Sequence, residues 1–384
     1  MNDFKYQMLP LSRFLTEYKD LNTNNQYRPV AVGRYGIRTR ESIYSKELAK
    51  DYSKNKLIYK DTLTVGMGSV QMDIGILTDD ITYSVSPAYH TYRICGIDCD
   101  YLRFCLQARN IDMFTRYMKR GSRQGKSIDL KAWIEYSIPV YPHARQSEIV
   151  EHLNVVQSIV AHRQQQLQKL DELVKARFVE MFGDPEYNTF HWDTRKLCTI
   201  CRVSSSKRIY QNELSTDGVP FLRISDLVNK MDNGNATCDL HIPEAKYDEL
   251  LKQGLVPTAG DILLTARGTL GRCYIITEND KFYFQDGMIT WLSDFCEEIT
   301  PLYLSYLFLM SGIRKQIDGL QAGSTVAYLS IAMTKQLDIM IPPIDLQNQF
   351  ATFVEQTDKS KFVVQQALEK AQLLFDSLMQ QYFG

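Results

Sequence analysis

The chain has 384 residues, 44% of them hydrophobic and 23% charged, and its formal net charge is −1 at pH 7. This composition excludes a disordered tail and predicts a globular protein of two or three domains. No run of about 18 apolar residues occurs, so we expect no transmembrane helix. The first ten residues include an acidic residue and lack the apolar core of an export signal, so we expect a cytoplasmic protein.

The near-zero net charge is unusual for a protein that binds nucleic acid, because phosphate neutralisation needs lysine and arginine. The charge is unevenly distributed: residues 1–144 hold 21 Lys+Arg against 15 Asp+Glu, a net charge of about +6. Local clusters of cations, or cations on partner subunits, can still supply phosphate contacts. Charge alone therefore favours neither a DNA-binding nor a non-binding function.

The cysteines are scattered, and only Cys198 and Cys201 have the spacing of metal ligands. A structural zinc site normally takes its ligands from two such pairs, and no second pair follows. We therefore expect no metal site, and we expect the thiols to be buried in a reducing compartment.

Strand-like segments rich in glycine and aromatic residues alternate along the chain with long helical patterns. The predicted order is a first globular domain at 1–143, a helix at 144–183, a second globular domain at 184–342 and a second helix at 343–384. The fold class is α+β, with two globular domains joined by two long antiparallel coiled-coil helices.

Each predicted helix begins after a proline and carries a near-heptad apolar seam. The seam of the first helix consists of Ile149, Leu153, Val156, Val160, Leu167, Leu170, Val174 and Phe178. The seam of the second helix consists of Phe350, Val354, Val364, Leu368, Ala371, Phe375 and Leu378. Polar Thr357 and Lys361 interrupt the second seam, which weakens it and is expected to help fix its register.

An internal repeat relates the two halves of the chain at an offset of 201 residues, as in the match of Gln146 with Gln347. SIPVYPHARQSEIVEHL, which begins at Ser137, aligns with DIMIPPIDLQNQFATFV, which begins at Asp338. Upstream, LIYKDTLTVGMGSV parallels AGDILLTARGTLG, and KRGSRQGKSIDL parallels QAGSTVAYLSI. The repeat predicts two similar globular domains related by a pseudo-two-fold axis.

Two long helices joined through a globular domain pair most easily antiparallel, with one globular domain at each end. A helix of about 38 residues is about 57 Å long at 1.5 Å per residue, which is roughly one and a half turns of B-DNA. The predicted molecule suits a DNA site made of two short parts around an unread gap, whose length should follow the length of the helices.

Several phrases resemble the DNA-specificity subunits of type I restriction–modification systems: GDILLTARGTLG, GSTVAYLS followed by KQLDIMIPPI, and MFGDPEYNTFHWDTRKL at the domain junction. The resemblance covers essentially the whole chain, in the family's order. The first domain departs from it, with TVGMGSV where the second has TARGTLG. Arg145-Gln146 and Leu346-Gln347 also replace the usual Glu-Gln pair.

The resemblance implies that each globular domain is a target recognition domain for double-stranded DNA and that the helices are spacers on which two modification subunits dock. Those partners would use S-adenosylmethionine to methylate adenine at N6. Restriction subunits that use ATP and Mg²⁺ are a further possible partner. The chain itself would be non-catalytic, would bind no cofactor and would select which adenines are presented to the partners.

Within the recognition domains, side chains with several hydrogen-bond donors are the candidates for contacts with bases or phosphates. In the second domain these are Ser204, Ser205, Lys207 and Arg208 in one turn, Arg223, Arg267 and Arg272 beside glycines, and Ser324 and Thr325. In the first domain they are Arg34, Tyr35, Arg38, Arg40, Lys54 and Lys56, with Ser122, Arg123 and Lys126 in a glycine-bounded loop.

Three other functional classes are alternatives for this sequence. The sequence Asp184-Pro185-Glu186-Tyr187 superficially resembles the Asp-Pro-Pro-Tyr motif of adenine methyltransferases, but it follows a helix and no glycine-rich cofactor loop precedes it. A stand-alone DNA-binding protein with the same architecture remains open, and copurification with a methyltransferase subunit would distinguish it. A coiled-coil scaffold that binds no nucleic acid does not account for the family phrases.

Overall fold

The computed structural model describes residues 6–33, 36–42, 51–120, 125–234, 238–321 and 327–384. The chain folds into two compact units, Met1–Gln165 with Val364–Gly384 and Gln166–Val363. Both units combine helices with antiparallel sheets, so the predicted α+β class is confirmed. The boundary between the units falls inside each of the two long helices, and the four-part division made from the sequence remains a prediction.

The first unit contains short strands, a central helix and parts of both long helices. Its strands are β1 (Gln7–Pro10), β2 (Leu15–Tyr18), β3 (Val30–Gly33), β4 (Gly36–Thr39), β5 (Lys56–Ile58), β6 (Thr62–Met67), β7 (Met72–Ile76), β8 (Tyr83–Val85), β9 (His90–Ile94), β10 (Met118–Arg120), β11 (Lys126–Ile128) and β12 (Ser137–Val140). Its helices are α1 (Cys99–Tyr117), α2 (Leu130–Trp133) and the first part of α3 (His143–Phe182).

The main sheet of the first unit is antiparallel, with the strand order β2-β9-β6-β7. The central strand β6 is apolar or threonine-rich on both faces and is almost completely buried, which is typical of a strand covered on both sides. Helix α1 packs against β7 and contributes Tyr101, Phe104 and Leu106 to the core. The pair β1–β12 brings the start of the domain back beside the entry to α3.

The second unit has a similar set of elements. Its strands are β13 (Asp193–Lys196), β14 (Arg202–Ser204), β15 (Val219–Leu222), β16 (His241–Ile242), β17 (Ile262–Thr265), β18 (Cys273–Ile275), β19 (Tyr283–Phe284), β20 (Ile289–Ser293) and β21 (Asp338–Ile341). Its helices are α4 (Leu197–Ile200), α5 (Ile224–Asn233), α6 (Glu244–Lys252), α7 (Pro301–Phe308), α8 (Ser311–Leu320), α9 (Ile331–Lys335) and part of α10 (Ile344–Phe383).

The main sheet of the second unit has the order β14-β20-β17-β18, which repeats the order of the first sheet strand for strand. The pair β13–β21 corresponds to β1–β12 in the same way. A smaller sheet, β16-β15-β19, packs beside it around Phe221 and Tyr283. The repeat read from the sequence is therefore present as a repeat of topology.

One buried glutamine in each unit makes the same hydrogen bonds, Gln146 in the first unit and Gln347 in the second. Gln146 Oε1 accepts a hydrogen bond from the N–H of Asp98, the residue that caps α1, at 3.0 Å. Gln347 Oε1 accepts one from the N–H of Thr300, which caps α7, at 2.8 Å. Each amide nitrogen also donates to the backbone carbonyl five residues earlier. The glutamine matched by the repeat thus ties the start of each long helix to a core helix.

In each unit an aromatic residue at the end of one long helix packs against a tyrosine of the core helix that precedes the other long helix. In the first unit Phe383 packs edge-on against Tyr101 at 5.3 Å between ring centroids, and in the second unit Phe182 packs against Tyr303 at 4.8 Å. Both tyrosine hydroxyls donate to backbone carbonyls of the strand that leads into the long helix. The end of one long helix therefore meets the start of the other within each unit.

The long helices run antiparallel within each unit. In the second unit, Asp171 on α3 pairs with Lys361 on α10 at 2.7 Å, and Phe178 contacts Phe350 at 5.4 Å, so rising numbers on α3 meet falling numbers on α10. The predicted seam residues are buried or half-buried throughout. Polar Thr357 is accommodated because its hydroxyl donates to the carbonyl of Phe353 at 2.9 Å.

Candidate nucleic-acid interface

Three of the predicted segments of the second unit reach the same end of its main sheet. Strand β14 ends at Ser204, β17 ends at Thr265, and antiparallel β20 begins at Ile289, directly opposite Thr265. The turn after β14 and the loop after β17 therefore leave the sheet side by side. Tyr328 forms a bridge with Arg267, which brings the end of the GSTVAYLS phrase to the same place.

The turn Gln285–Met288, here called the hub turn, ties these segments together. The N–H of Gln285 donates to the carbonyl of Leu222 at 2.9 Å, and the N–H of Gly287 donates to Ser205 Oγ at 3.1 Å. The carbonyl of Met288 accepts from the N–H of Ala266 at 2.9 Å. Backbone donors and acceptors of the hub turn thus fix the segments that carry the predicted cations.

Two of the predicted arginines at this end of the sheet form ion pairs. Arg208 Nε donates to Asp286 Oδ2 at 2.8 Å, and this hydrogen bond raises the pKa of the guanidinium. Arg272 pairs through both terminal nitrogens with Asp232, at 2.6 and 3.4 Å. The hydrogen bond from Arg272 lowers the pKa of the Asp232 carboxyl. Arg208 is 66% exposed, whereas Arg272 is 28% exposed.

Three other predicted cations are exposed and form no salt bridge within the described residues, although the charge of Lys207 helps to lower the pKa of Glu213 and of Glu249. Lys207 and Arg223 have no ion pair there, and Arg267 Nη1 approaches only the thioether sulfur of Met288, at 3.8 Å. Arg223 directly follows Leu222, which the hub turn holds, so it lies beside the same loops. Lys207, Arg208, Arg223 and Arg267 therefore form a group of cations around the hub turn.

The predicted serines are engaged in holding this end of the sheet. Ser204 Oγ donates to the carbonyl of Trp291 at 3.4 Å, and Ser205 Oγ donates to Ile289 at 3.3 Å while it accepts from Gly287. The neighbouring Ser206, which the sequence did not single out, is buried and donates to Phe284 at 2.8 Å. The serines position the cations that follow them.

The first unit brings two of its predicted segments together in the corresponding place. Lys126 is exposed, and its Nζ donates to the carbonyl of Ser69, in the turn that joins β6 to β7, at 3.3 Å. Gly68 in this turn has no room for a side chain, because a Cβ would lie 2.2 Å from the carbonyl oxygen of Gln71. The GMG phrase is thus a tight strand-to-strand turn beside the lysine.

The other predicted cations of the first unit differ in exposure. Arg38 and Lys54 are exposed. Arg40 is partly buried, lies over the ring of Tyr52 at 5.4 Å and lines a cavity of about 270 Å³. Lys56 is buried, its Nζ donates to the carbonyl of Tyr89, and burial lowers its pKa. Lys56 therefore stabilises the fold from a buried position, and its ammonium group is not on the surface.

Six predicted contact residues lie outside the described residues: Arg34, Tyr35, Ser122, Arg123, Ser324 and Thr325. Conversely, sequence reasoning missed Asp232 and the hub turn, which organise the cations of the second unit. An Asp-Gly pair at 286–287 between two strand-like runs is a turn signal that could have located the hub turn. Two of its partners, Arg208 and Ser205, lie 78 and 82 residues away in the sequence, and local patterns do not reveal contacts at that separation.

The segment Asp184–Tyr187 is packed as a structural turn. Glu186 pairs with Lys315, which lowers the pKa of its carboxyl. Gly312 of α8 lies so close that a Cβ there would meet the backbone nitrogen of Glu186 at 2.6 Å. Each side chain and backbone group in this contact serves packing, which gives no support to the methyltransferase alternative.

The described residues contain no group of three His, Cys, Asp or Glu side chains suited to a metal ion. Cys198 is exposed and Cys201 is buried, and burial raises the pKa of the Cys201 thiol to about 12. Across the part of the chain that the structure describes, no helix has the length and hydropathy needed to cross a bilayer.

Comparison with known proteins gives a consistent result. Residues 191–372 match the model of the type I restriction modification DNA specificity domain. A curated relative, described as a putative type I restriction enzyme specificity subunit of Haemophilus influenzae, is 26% identical over 223 residues. That match covers 57% of this chain and 54% of the relative, so it spans about half the length of that protein.

Two solved structures share the fold over nearly the full chain. The S subunit of a type I restriction–modification system from M. genitalium is 14% identical, with a TM-score of 0.54, and the match covers 100% of this chain and 97% of that one. A structure described as addressing complex assembly and conformational transition of the type I R-M system is 13% identical, with a TM-score of 0.56 and coverage of 98% and 97%.

Proposed function

We propose that the chain selects the DNA target of a type I restriction–modification system, since residues 191–372 match the DNA specificity domain of such systems. Each globular domain reads one part of a two-part sequence. Partner modification subunits then methylate adenine at N6 within that target. The chain supplies sequence choice and no chemistry of its own.

The single observation that carries this proposal is the group of cations around the hub turn. Lys207, Arg208, Arg223 and Arg267 come from separate segments of the chain and are exposed around the hub turn of the second unit. Donor-rich side chains held on a rigid sheet end are suited to contact base edges and phosphates. A net charge of −1 is compatible with this function because the cations are concentrated where contact is made.

The first unit is suited to form a second DNA-reading surface, whose loop side chains differ from those of the second unit. Its main sheet has the same strand order, and Arg38, Lys54 and Lys126 are exposed on the loops and short strands around it. The loops themselves differ in sequence between the two units, and direct readout depends on loop side chains. Two similar folds with different loops suit a target whose two parts differ.

The cofactors belong to the partners in this proposal. S-adenosylmethionine would bind to the modification subunits, and ATP with Mg²⁺ to any restriction subunits that join them. Two modification subunits would dock on the paired long helices, whose outward faces keep apolar side chains such as Val155, Leu173, Phe362 and Leu373 exposed. A cytoplasmic location follows from this role.

The test is a genome-wide map of N6-methyladenine in the native host, with the gene intact, deleted and restored. We expect one two-part motif to lose methylation on deletion and to regain it on restoration. A restored chain in which residues 184–342 come from another specificity subunit should change one half of the motif and leave the other unchanged. A methylation map that is identical in all three strains would refute the proposal.

The alternative is a stand-alone DNA-binding protein without an enzyme partner. Affinity purification of the full chain from its host separates the two functions. A methyltransferase subunit that copurifies in stoichiometric amount supports the specificity subunit. DNA binding by a chain that purifies alone supports the alternative.

A further inference from the structure

We infer that Arg208 reads a guanine in the major groove of the target and that Asp286 is the residue that positions it. This inference rests on the proposed function and deepens it, since it assigns one base of the target to one side chain. It follows from which edge of the guanidinium is occupied, from how Asp286 is held and from the net charge of the pair.

The guanidinium of Arg208 is engaged on one edge only. Its Nε donates to Asp286, and within the described residues its terminal nitrogens Nη1 and Nη2 have no hydrogen-bond partner. Those two nitrogens form the fork that makes two parallel hydrogen bonds to O6 and N7 of guanine. The ion pair thus restricts the rotation of the side chain while it leaves the base-reading fork exposed.

Asp286 is well fixed for this purpose. The residue before it donates to the carbonyl of Leu222, and the residue after it, Gly287, donates to Ser205 Oγ. Gly287 has a φ of +71°, a conformation that favours glycine and turns the chain sharply after the carboxylate. Asp286 is 22% exposed against 66% for Arg208, so the buried partner orients the exposed one.

The neighbouring arginines show why the inference concerns Arg208. Arg272 uses its terminal nitrogens to bind Asp232, so its fork is occupied. Arg267 has a free guanidinium but only a thioether near it among the described residues, so nothing orients its fork. Of these three side chains, Arg208 alone combines an oriented guanidinium with an open fork.

The charge of the pair points to a base and not to a phosphate. Phosphate contacts release counterions in proportion to the positive charge brought to the backbone. Arg208 and Asp286 together carry no net charge, so the pair gains little from a phosphate. Guanine presents neutral acceptors, and the pair can contact them without separating its own charges. Arg267, which forms no ion pair among the described residues, suits a phosphate.

The test measures binding of the full chain, with whatever modification subunits copurify, to a library of randomised DNA duplexes. Wild type should enrich a two-part motif. Arg208→Lys keeps the positive charge and removes the fork, so the preference for guanine at one position of one half-site should fall about 5- to 150-fold. Asp286→Asn should relax the same position and increase binding to non-target duplexes. Arg267→Ala is the matched control and should weaken binding to all sequences evenly.

Salt dependence gives a second measurement on the same variants. Arg267→Ala should reduce the slope of log affinity against log salt by about 1, whereas Arg208→Lys, which keeps the charge of the pair with Asp286, should leave that slope nearly unchanged. An even loss over all positions in Arg208→Lys, or a relaxed position that is not a G·C pair, would overturn the inference. If wild type enriches no motif at all, the proposed function fails and not this assignment alone.

Discussion

Replacement of Gln347 by alanine should destabilise the second unit more than the equivalent change destabilises the first. The Gln347 side chain is fully buried and makes four hydrogen bonds, to the N–H and hydroxyl of Thr300 and to the carbonyls of Glu298 and Pro342. Gln146 makes two. Each hydrogen bond contributes a net stabilisation of about 1 kcal/mol. Gln347→Ala should therefore lower the free energy of unfolding by about 4 kcal/mol, and Gln146→Ala should lower it by about 2 kcal/mol.

The assay is urea denaturation of the full chain, followed by circular dichroism and by tryptophan fluorescence. Trp192 and Trp291 report on the second unit and Trp133 on the first, so a single-tryptophan background assigns each transition. Gln365→Ala is the control, because this glutamine is exposed on the same helix and bonds only to Glu369. Gln365→Ala should change the free energy of unfolding by no more than about 0.5 kcal/mol. If Gln347→Ala shifted stability no more than Gln365→Ala or Gln146→Ala, the argument from hydrogen-bond number would be refuted.

Three further predictions concern other parts of the chain. Phe383→Ala should destabilise the first unit by about 3–5 kcal/mol, because the ring is fully buried there, and thermal denaturation should show that unit melting earlier while the second is unchanged. Gly68→Ala should be more damaging than Gly268→Ala in the same assay, because a Cβ at Gly68 would clash with the backbone carbonyl of Gln71, whereas at Gly268 the only cost is the strain of a side chain at φ +73°. Burial acts to raise the pKa of Asp280, but hydrogen bonds from Thr277 and Lys230 outweigh it and hold the pKa below its usual 3.8. The stabilisation is therefore present above that value and is lost as pH falls through the folded-state pKa, so Asp280→Asn should flatten the acid limb of the stability–pH curve.

The long helices and the repeat were predictable because both depend on local patterns. The apolar seams follow helical spacing after a proline, and every seam residue is buried or half-buried in the structure. The match of Gln146 with Gln347 also corresponds to a shared structural role. Each side chain accepts a hydrogen bond from the N–H of the residue that caps a core helix. Even the polar interruptions of the second seam are explained, with Lys361 paired to Asp171.

The arrangement of the cations around the hub turn, the proposed DNA-reading surface, was not predictable in the same way. Sequence placed Arg208, Arg272 and Lys56 together as candidate contacts because all three are cations in loop-like or strand-like segments. Their environments differ because each depends on a partner distant in the chain: Asp286 for Arg208, Asp232 for Arg272 and the carbonyl of Tyr89 for Lys56. Side-chain type indicates what a residue can donate, whereas its availability depends on tertiary contacts.

The first unit is built from two separate parts of the chain, and this division affects how the protein folds as it is synthesised. Phe375, Met379 and Phe383 belong to the core that covers Tyr101 and Phe104, yet about 200 residues separate the two parts of that core in the chain. At about 5–20 residues per second, a ribosome needs roughly 10 to 45 s to make the intervening chain. During that interval the aromatic face of α1 lacks the part of its cover that α10 provides, so the nascent chain should bind a chaperone at this face, and the second unit should be the first to finish folding.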